Sequence, residues 1–277
     1  MRSDSAQSSA KAGRRVVVKF GTGILTRTDM VQLDTEQFER LTAELAEIQT
    51  QGTEIILVSS GAVGAGLMAL GLDERPDDLP TMQACAAIGQ SRLMEIYSSC
   101  FEKHGLLTAQ LLLTHSDLDS RERYLNARRT LNTLLQSGRV IPIINENDVV
   151  ATEELPRARD NDRMAAEVSI LVDADLLVIL SGIEGLTRNP DGTGEPIPEV
   201  QDITEVLDFV ADTKGRMSRG GMRSKIQAVN IAVTHGVRSV IANGRKPGQI
   251  AGAIAGEQVG TVFLPNPREA GVNIPVY

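Results

Sequence analysis

Arg15-Val16-Val17-Val18-Lys19-Phe20-Gly21-Thr22-Gly23 is the stretch on which the fold turns. Residues 15–20 form a β-branched run with no alternation of polar and apolar positions, and Gly21 closes it. A short strand of this kind is covered on both faces, as in parallel sheets lying between helices. Residues 33–50 follow with helical spacing, Leu41, Leu45 and Ile48 falling on one face. The alternation then repeats. Strands are predicted over 53–59, 106–113, 140–144, 175–180, 237–242 and 260–264, and helices over 82–104, 121–136, 162–172 and 222–235. Residues 181–198 are rich in turn formers. Repeated β-α units predict an α/β fold, a three-layer αβα sandwich around a mostly parallel central sheet. No Pro/Gly/Ser-rich linker and no internal repeat divides it, so one domain is expected over 14–264. It is flanked by a polar N-terminal extension, 1–13, read as disordered, and a loop-like tail, 265–277.

Composition narrows the function. Across 277 residues the formal net charge is −8. An acidic balance argues against nucleic acid or a membrane surface as the general partner, while leaving room for a small cationic site. Cys85 and Cys100 sit in apolar helical context and read as buried free thiols of a reducing compartment. His104, His115 and His235 are scattered, so no metal site is expected from zinc-type spacing. No apolar run reaches the roughly 18 residues of a membrane span, and residues 1–13 lack the apolar centre of a signal peptide. A cytoplasmic location is expected.

The common catalytic signatures are missing: there is no G-x-x-x-x-G-K-[ST], no G-x-G-x-x-G and no G-x-S-x-G. Four other segments stand out. Lys19-Phe20-Gly21-Thr22-Gly23 puts an ammonium at a strand end, where open α/β sheets bind ligands, with glycines that let backbone approach an anion. A purely structural turn would read the same way. Ser59-Ser60-Gly61-Ala62-Val63-Gly64-Ala65-Gly66 is either an anion site at a helix start or close packing of small residues. Asn145-Glu146-Asn147-Asp148 directly after a buried strand, with Asp160-Asn161-Asp162 beyond it, would be costly near a sheet end unless it met a ligand or itself. Gly220-Gly221-Met222-Arg223-Ser224-Lys225 opens a helix with backbone donors, a positive dipole end and a lysine, or is a solvated glycine-rich loop.

In order and spacing these segments resemble the amino acid kinase superfamily, and within it the glutamate 5-kinase family. The resemblance covers about residues 15–264 and includes Gly89-Gln90-Ser91-Arg92-Leu93, DSRERYLNAR over 119–128 and INENDVVAT over 144–152. It implies ATP-dependent phosphorylation of the γ-carboxylate of L-glutamate, the first step of proline synthesis, with Mg²⁺ accompanying ATP. By similarity, Ser60, Asp148 and Asn161 hold glutamate and Asn145 shapes that pocket. Lys19 and Lys225 contact the phosphates and Asp162 positions them, the three together being the catalytic set. Lys19, Gly21, Ser181, Gly182, Arg219, Gly220, Gly221, Met222, Arg223, Ser224 and Lys225 form the nucleotide side. A homo-oligomer, dimer or tetramer, and feedback inhibition by proline are also implied. A γ-carboxylate, with a reference pKa of about 4.3, is already an anion at neutral pH and needs no general base. What it needs is neutralisation of charge as it meets another anion.

The chain departs from the family at Ser181-Gly182, where a carboxylate is usual, at Gly23 in place of a serine, and at Arg219 and Arg223 in place of small residues. Many relatives also carry a C-terminal PUA domain, for which these residues leave no room. Two other readings stand beside the first. One is another kinase of the same fold, acting on acetylglutamate, aspartate, carbamate or UMP. The other is a non-catalytic protein that binds glutamate or nucleotide.

Overall fold

The computed structural model describes residues 14–27, 33–72, 74–151, 161–189, 194–211 and 221–265. The predicted extension over 1–13 and most of the predicted tail lie outside them. In chain order the elements are β1 (Arg15–Phe20), α1 (Thr22–Leu25), α2 (Thr35–Thr50), β2 (Glu54–Val58), α3 (Ala62–Leu70), α4 (Leu79–Glu102), β3 (Leu107–Leu113), α5 (His115–Asp119) and α6 (Arg121–Gln136). They continue with β4 (Val140–Glu146), α7 (Asn161–Leu171), β5 (Leu176–Ser181), β6 (Glu199–Val200), α8 (Thr204–Ala211), α9 (Met222–Thr234), β7 (Arg238–Asn243), α10 (Gln249–Ala255) and β8 (Thr261–Phe263). One eight-stranded sheet runs β3-β4-β2-β1-β5-β7-β8-β6. Every neighbouring pair in it is parallel except β7 with β8.

The apolar runs explain the three layers. Side chains alternate across a strand, so a run apolar at every position feeds two cores. Val17, Ile56, Val58, Ile144, Leu177 and Ile179 pack on one face with α6, α7 and α9. Val16, Val18, Phe20, Ile55, Leu57, Ile143 and Val178 pack on the other with α2, α4 and α10. Edge strand β3 is the exception to two-sided cover: none of its residues is fully buried and Leu107 is 56% exposed.

Helix ends follow local chemistry. α4 begins at Leu79, three residues before the predicted start, because Asp78 accepts a hydrogen bond from the Thr81 N–H at 2.9 Å and a proline follows the cap. α2 likewise begins at the Asp34 cap rather than at Leu33, which instead bridges to Thr26. α3 had no outline of its own in the sequence, because a helix made only of Ala, Gly and larger apolar residues shows no polar face.

The small residues of α3 answer the question left open above. A Cβ on Gly66 would lie 1.8 Å from the Cys85 carbonyl oxygen, and one on Gly89 would lie 1.8 Å from that of Ala62. α3 and α4 therefore touch backbone to backbone, and close packing accounts for the later half of the Gly/Ala stretch. Gly61, with φ of 103°, turns the chain from β2 into α3 in a conformation that other residues resist.

Two substitutions separate this contact from ordinary glycine effects. Gly89→Ala forces α3 and α4 apart and is expected to cost about 2–3 kcal/mol. Gly23→Ala, where nothing lies within 4 Å of the added carbon, is expected to stay within about 0.5 kcal/mol. Urea unfolding of both measures the difference, and equal midpoints would remove the contact from the account.

Candidate active site

The carboxyl ends of the parallel strands share one edge of the sheet, and Lys19, Ser60, Asn145, Asn161, Asp162, Ser181 and Lys225 lie along it. Strand parity aims each of them. Lys19 follows Val18 on β1, so it points to the face that Val17 occupies, the face covered by α7 and α9. There its Nζ lies 2.5 Å from Asp162 Oδ1, in the first turn of α7. Lys225, in the first turn of α9, donates to Asp162 Oδ2 at 3.0 Å. Two ammonium groups from separate elements thus meet on one carboxylate.

All three groups are withdrawn from water, with residue exposures of 5% for Lys19, 7% for Lys225 and 1% for Asp162. Burial alone would push the Asp162 carboxyl up. The Lys19 and Lys225 ammoniums outweigh it and hold the group below the ordinary aspartate value. Gly21 caps this corner: its N–H donates to the Leu180 carbonyl at 3.2 Å, and an added Cβ would meet that oxygen at 3.3 Å and Lys19 Nζ at 3.6 Å.

On the β2–β4 side stands a connected set of polar groups. Asn161 Nδ2 donates to the Ser59 carbonyl at 2.7 Å, to Ser60 Oγ at 3.0 Å and to Asn145 Oδ1 at 2.8 Å. Asn145 Oδ1 also accepts from the Glu146 N–H at 2.9 Å. The sequence placed Asn145 and Glu146 beyond the strand; they are its last two residues, because β3 pairs with β4 as far as Leu113 and Glu146. Asp148 follows in a turn whose carbonyls at Asp148 and Val149 accept from Gln83 Nε2 at 3.0 and 3.2 Å. Ser59 faces the opposite layer and shares a 2.8 Å hydrogen bond with the buried Tyr97 hydroxyl. Further along α7, Glu167 accepts from Arg163 at 2.8 Å and lies 2.6 Å from His115 Nδ1, tying α5 to the helix that carries Asn161 and Asp162.

On the β5–β7 side, Ser181 ends β5 with its Oγ buried and without a hydrogen-bond partner among the described residues. Gly182 is exposed, and a Cβ there would meet nothing within 4 Å. Gly221 precedes the first turn of α9 with no side chain among the described residues capping it, and N–H groups at such a helix start suit an anion. Ser224 Oγ donates back to the Gly221 carbonyl at 3.0 Å. Met222 packs its side chain into the core, so any contact it makes with a ligand is through backbone, and Arg223 is exposed. Arg219, Gly220 and Asp160 lie outside the described residues. Gln83 and Gln90 of α4 were not among the sequence candidates. Gln90 could have been noticed as a polar residue interrupting the apolar stripe of Ala86, Leu93 and Tyr97.

Comparison with known proteins places the chain in a family. The profile described as "Amino acid kinase family" matches residues 14–243. Glutamate 5-kinase of Moorella thermoacetica is 47% identical over 261 residues, covering 93% of this chain and 68% of that protein. Glutamate 5-kinase of Carboxydothermus hydrogenoformans is 44% identical, covering 92% of this chain and 69% of its own length. That of Methylococcus capsulatus is 43% identical, covering 94% and 70%. Among solved structures, carbamate kinase from Giardia lamblia bound to AMP-PNP superposes with a TM-score of 0.66 at 16% identity, covering 92% of this chain and 99% of that one, a likeness of fold.

The shared carboxylate makes a pH prediction. Because the folded-state value of Asp162 lies below the unfolded one, its contribution to stability is complete above about pH 4 and fades as pH falls through the folded value. Asp162→Asn removes the negative charge that two buried ammoniums share and is expected to cost about 3–5 kcal/mol at neutral pH. The gap from the unmodified protein should narrow below about pH 4. Urea unfolding from neutral pH downward checks this, and a gap that ignored pH would show that the lysines do not hold the carboxylate down.

Proposed function

For a chain that belongs to the amino acid kinase family, and within it to the glutamate 5-kinase branch, we propose ATP-dependent phosphorylation of the γ-carboxylate of L-glutamate, the first step of proline synthesis. The observation that carries the reading is the convergence of Lys19 and Lys225 on Asp162 beside the Ser60–Asn145–Asn161 cluster. The chemistry asks for little else. The acceptor is already ionised, so no base is required. The barrier is the approach of one anion to another, which fixed positive groups lower without reorganising during the reaction.

In this reading Lys19 and Lys225 flank the migrating phosphoryl group, and Asp162 keeps two like charges side by side before the substrates arrive. Ser60, Asn161 and Asp148 hold glutamate, with Asn145 shaping the pocket. The first turn of α9, with Gly221 and the backbone of Met222–Ser224, receives nucleotide phosphates, and Gly21 and Ser181-Gly182 border them. No group of three or more His, Cys, Asp or Glu side chains gathers among the described residues. Mg²⁺ would accompany ATP and, when bound, supply positive charge to its phosphates. A domain over 14–264, a cytoplasmic location, a dimer or tetramer, and proline as an inhibitor overlapping the glutamate pocket complete the proposal. Family resemblance supports them, and among the described residues no helix is long and apolar enough to cross a membrane.

A coupled assay of ADP release tests the whole. Turnover should depend on glutamate and fall away with aspartate or N-acetylglutamate; ADP release indifferent to glutamate rejects the assignment. Lys225→Ala should lower kcat by about 10²–10³-fold, with glutamate affinity by calorimetry within about twofold. Near-normal turnover would strip Lys225 of its role. Gly182→Asp places a carboxylate in open space at the nucleotide edge. It should lower the KM for ATP by about tenfold if a hydrogen bond to nucleotide is gained, and an unchanged KM would mean that backbone already serves there.

A further inference from the structure

The polar set at the β2–β4 end has a direction, and its origin is Gln90. Asn145 Nδ2 donates to Gln90 Oε1 at 2.8 Å, both side chains being buried, with residue exposures of 3% and 8%. Each amide orientation follows from a group that cannot change role. The Glu146 N–H can only donate, so the oxygen of Asn145 faces it and the nitrogen faces Gln90, which must accept. The Ser59 carbonyl can only accept, so Asn161 turns its nitrogen toward Ser59, Ser60 and Asn145. That leaves Asn161 Oδ1 as a buried acceptor without a hydrogen-bond partner among the described residues. A buried acceptor left unpaired costs about 1–3 kcal/mol, a cost that a ligand bringing a donor removes. The donor that an α-amino acid brings is its ammonium group.

We propose that Gln90 is a positioning residue for acceptor recognition: by accepting from Asn145 it holds in place an amide whose orientation the Glu146 N–H sets, and through it supports Asn161 with its oxygen available to a substrate ammonium. The inference rests on the glutamate reading of this pocket. Parity gives it a structural basis. Asn145 follows Ile144 on β4 and so lies on the face of Ile143, the α4 face, while Asn161 opens α7 on the other face. The amide chain passes around the carboxyl edge of the sheet from one helix layer to the other. Without an oxygen at position 90, the Asn145 nitrogen loses that acceptor, Asn145 is held through its oxygen alone, and the support it gives Asn161 loosens, although the Ser59 carbonyl still sets which way Asn161 faces.

Steady-state kinetics on the full chain tests this with Gln90→Met, similar in size but without an oxygen to accept, and Gln90→Glu, which keeps one. Glutarate, a glutamate lacking the ammonium, serves as competitive inhibitor. Gln90→Met should raise the KM for glutamate about tenfold, the size of one hydrogen bond to a charged group. Its kcat, its KM for ATP and the Ki of glutarate should stay within about twofold, and Gln90→Glu should recover most of the lost affinity. If Gln90→Met does not fold, Gln90→Ala takes its place with the same expectations. A KM for glutamate that stays put, a glutarate Ki that rises in step with it, or a Gln90→Glu variant as impaired as Gln90→Met overturns the inference while leaving the functional reading intact. An unmodified protein with no glutamate-dependent turnover overturns the functional reading, and this inference with it.

Discussion

One buried carboxylate between two ammonium groups is the constraint around which the rest is arranged. An unpaired charge at this depth is costly, and a pair of like charges more so. The lysines can stand together at the sheet edge only because Asp162 lies between them. Three separate pieces of chain must be placed to satisfy it: the end of β1, the first turn of α7 and the first turn of α9. β1 occupies the middle of the sheet, between β2 and β5. The acceptor cluster can therefore form on one side of Lys19 and the phosphate-binding turn on the other. The ion triad joins the halves, and its chemistry would be used at that junction.

Much of this was legible in the residues. Runs apolar at every position meant two covered faces, and the two cores on opposite sides of the sheet are that statement in three dimensions. Lys19 alone read equally as a structural turn, and it stood out through its order and spacing with the other three segments. The asparagines and acids after the strand at 140–144 were legible, since polar groups that close to a core must meet one another or a ligand. Three things were not. Whether Ser59–Gly66 served anions or packing could not be decided while α3 lacked a visible polar face, and the fit of Gly66 and Gly89 against opposing carbonyls settles the later part for packing. The reach of β4 through Asn145 and Glu146 depended on pairing with β3, a long-range matter. Gln90 was hidden because its partner is 55 positions away, and no local rule tells a buried amide with a partner from one without.

The two sides of the site are built on different physics. The phosphate side is electrostatic, with full charges and an uncapped helix start that attract anions from several ångströms away. The acceptor side is directional. Apart from Asp148, its groups are neutral amides and a hydroxyl, which exert little pull at range and discriminate by which atom donates and which accepts. Charge alone would admit many anions. In the proposed pocket the amide order would narrow the choice at the ammonium, where glutamate differs from other small carboxylates.

The backbone contact between α3 and α4 has a consequence for how this pocket can change. α3 starts beside Ser60, and α4 carries Gln83 and Gln90, so two walls are fused into a slab with no slack between its plates. A slab of this kind acts as a mould and does not flex like a jaw. Any enlargement toward a longer or bulkier acceptor would have to come from somewhere other than the seam between α3 and α4.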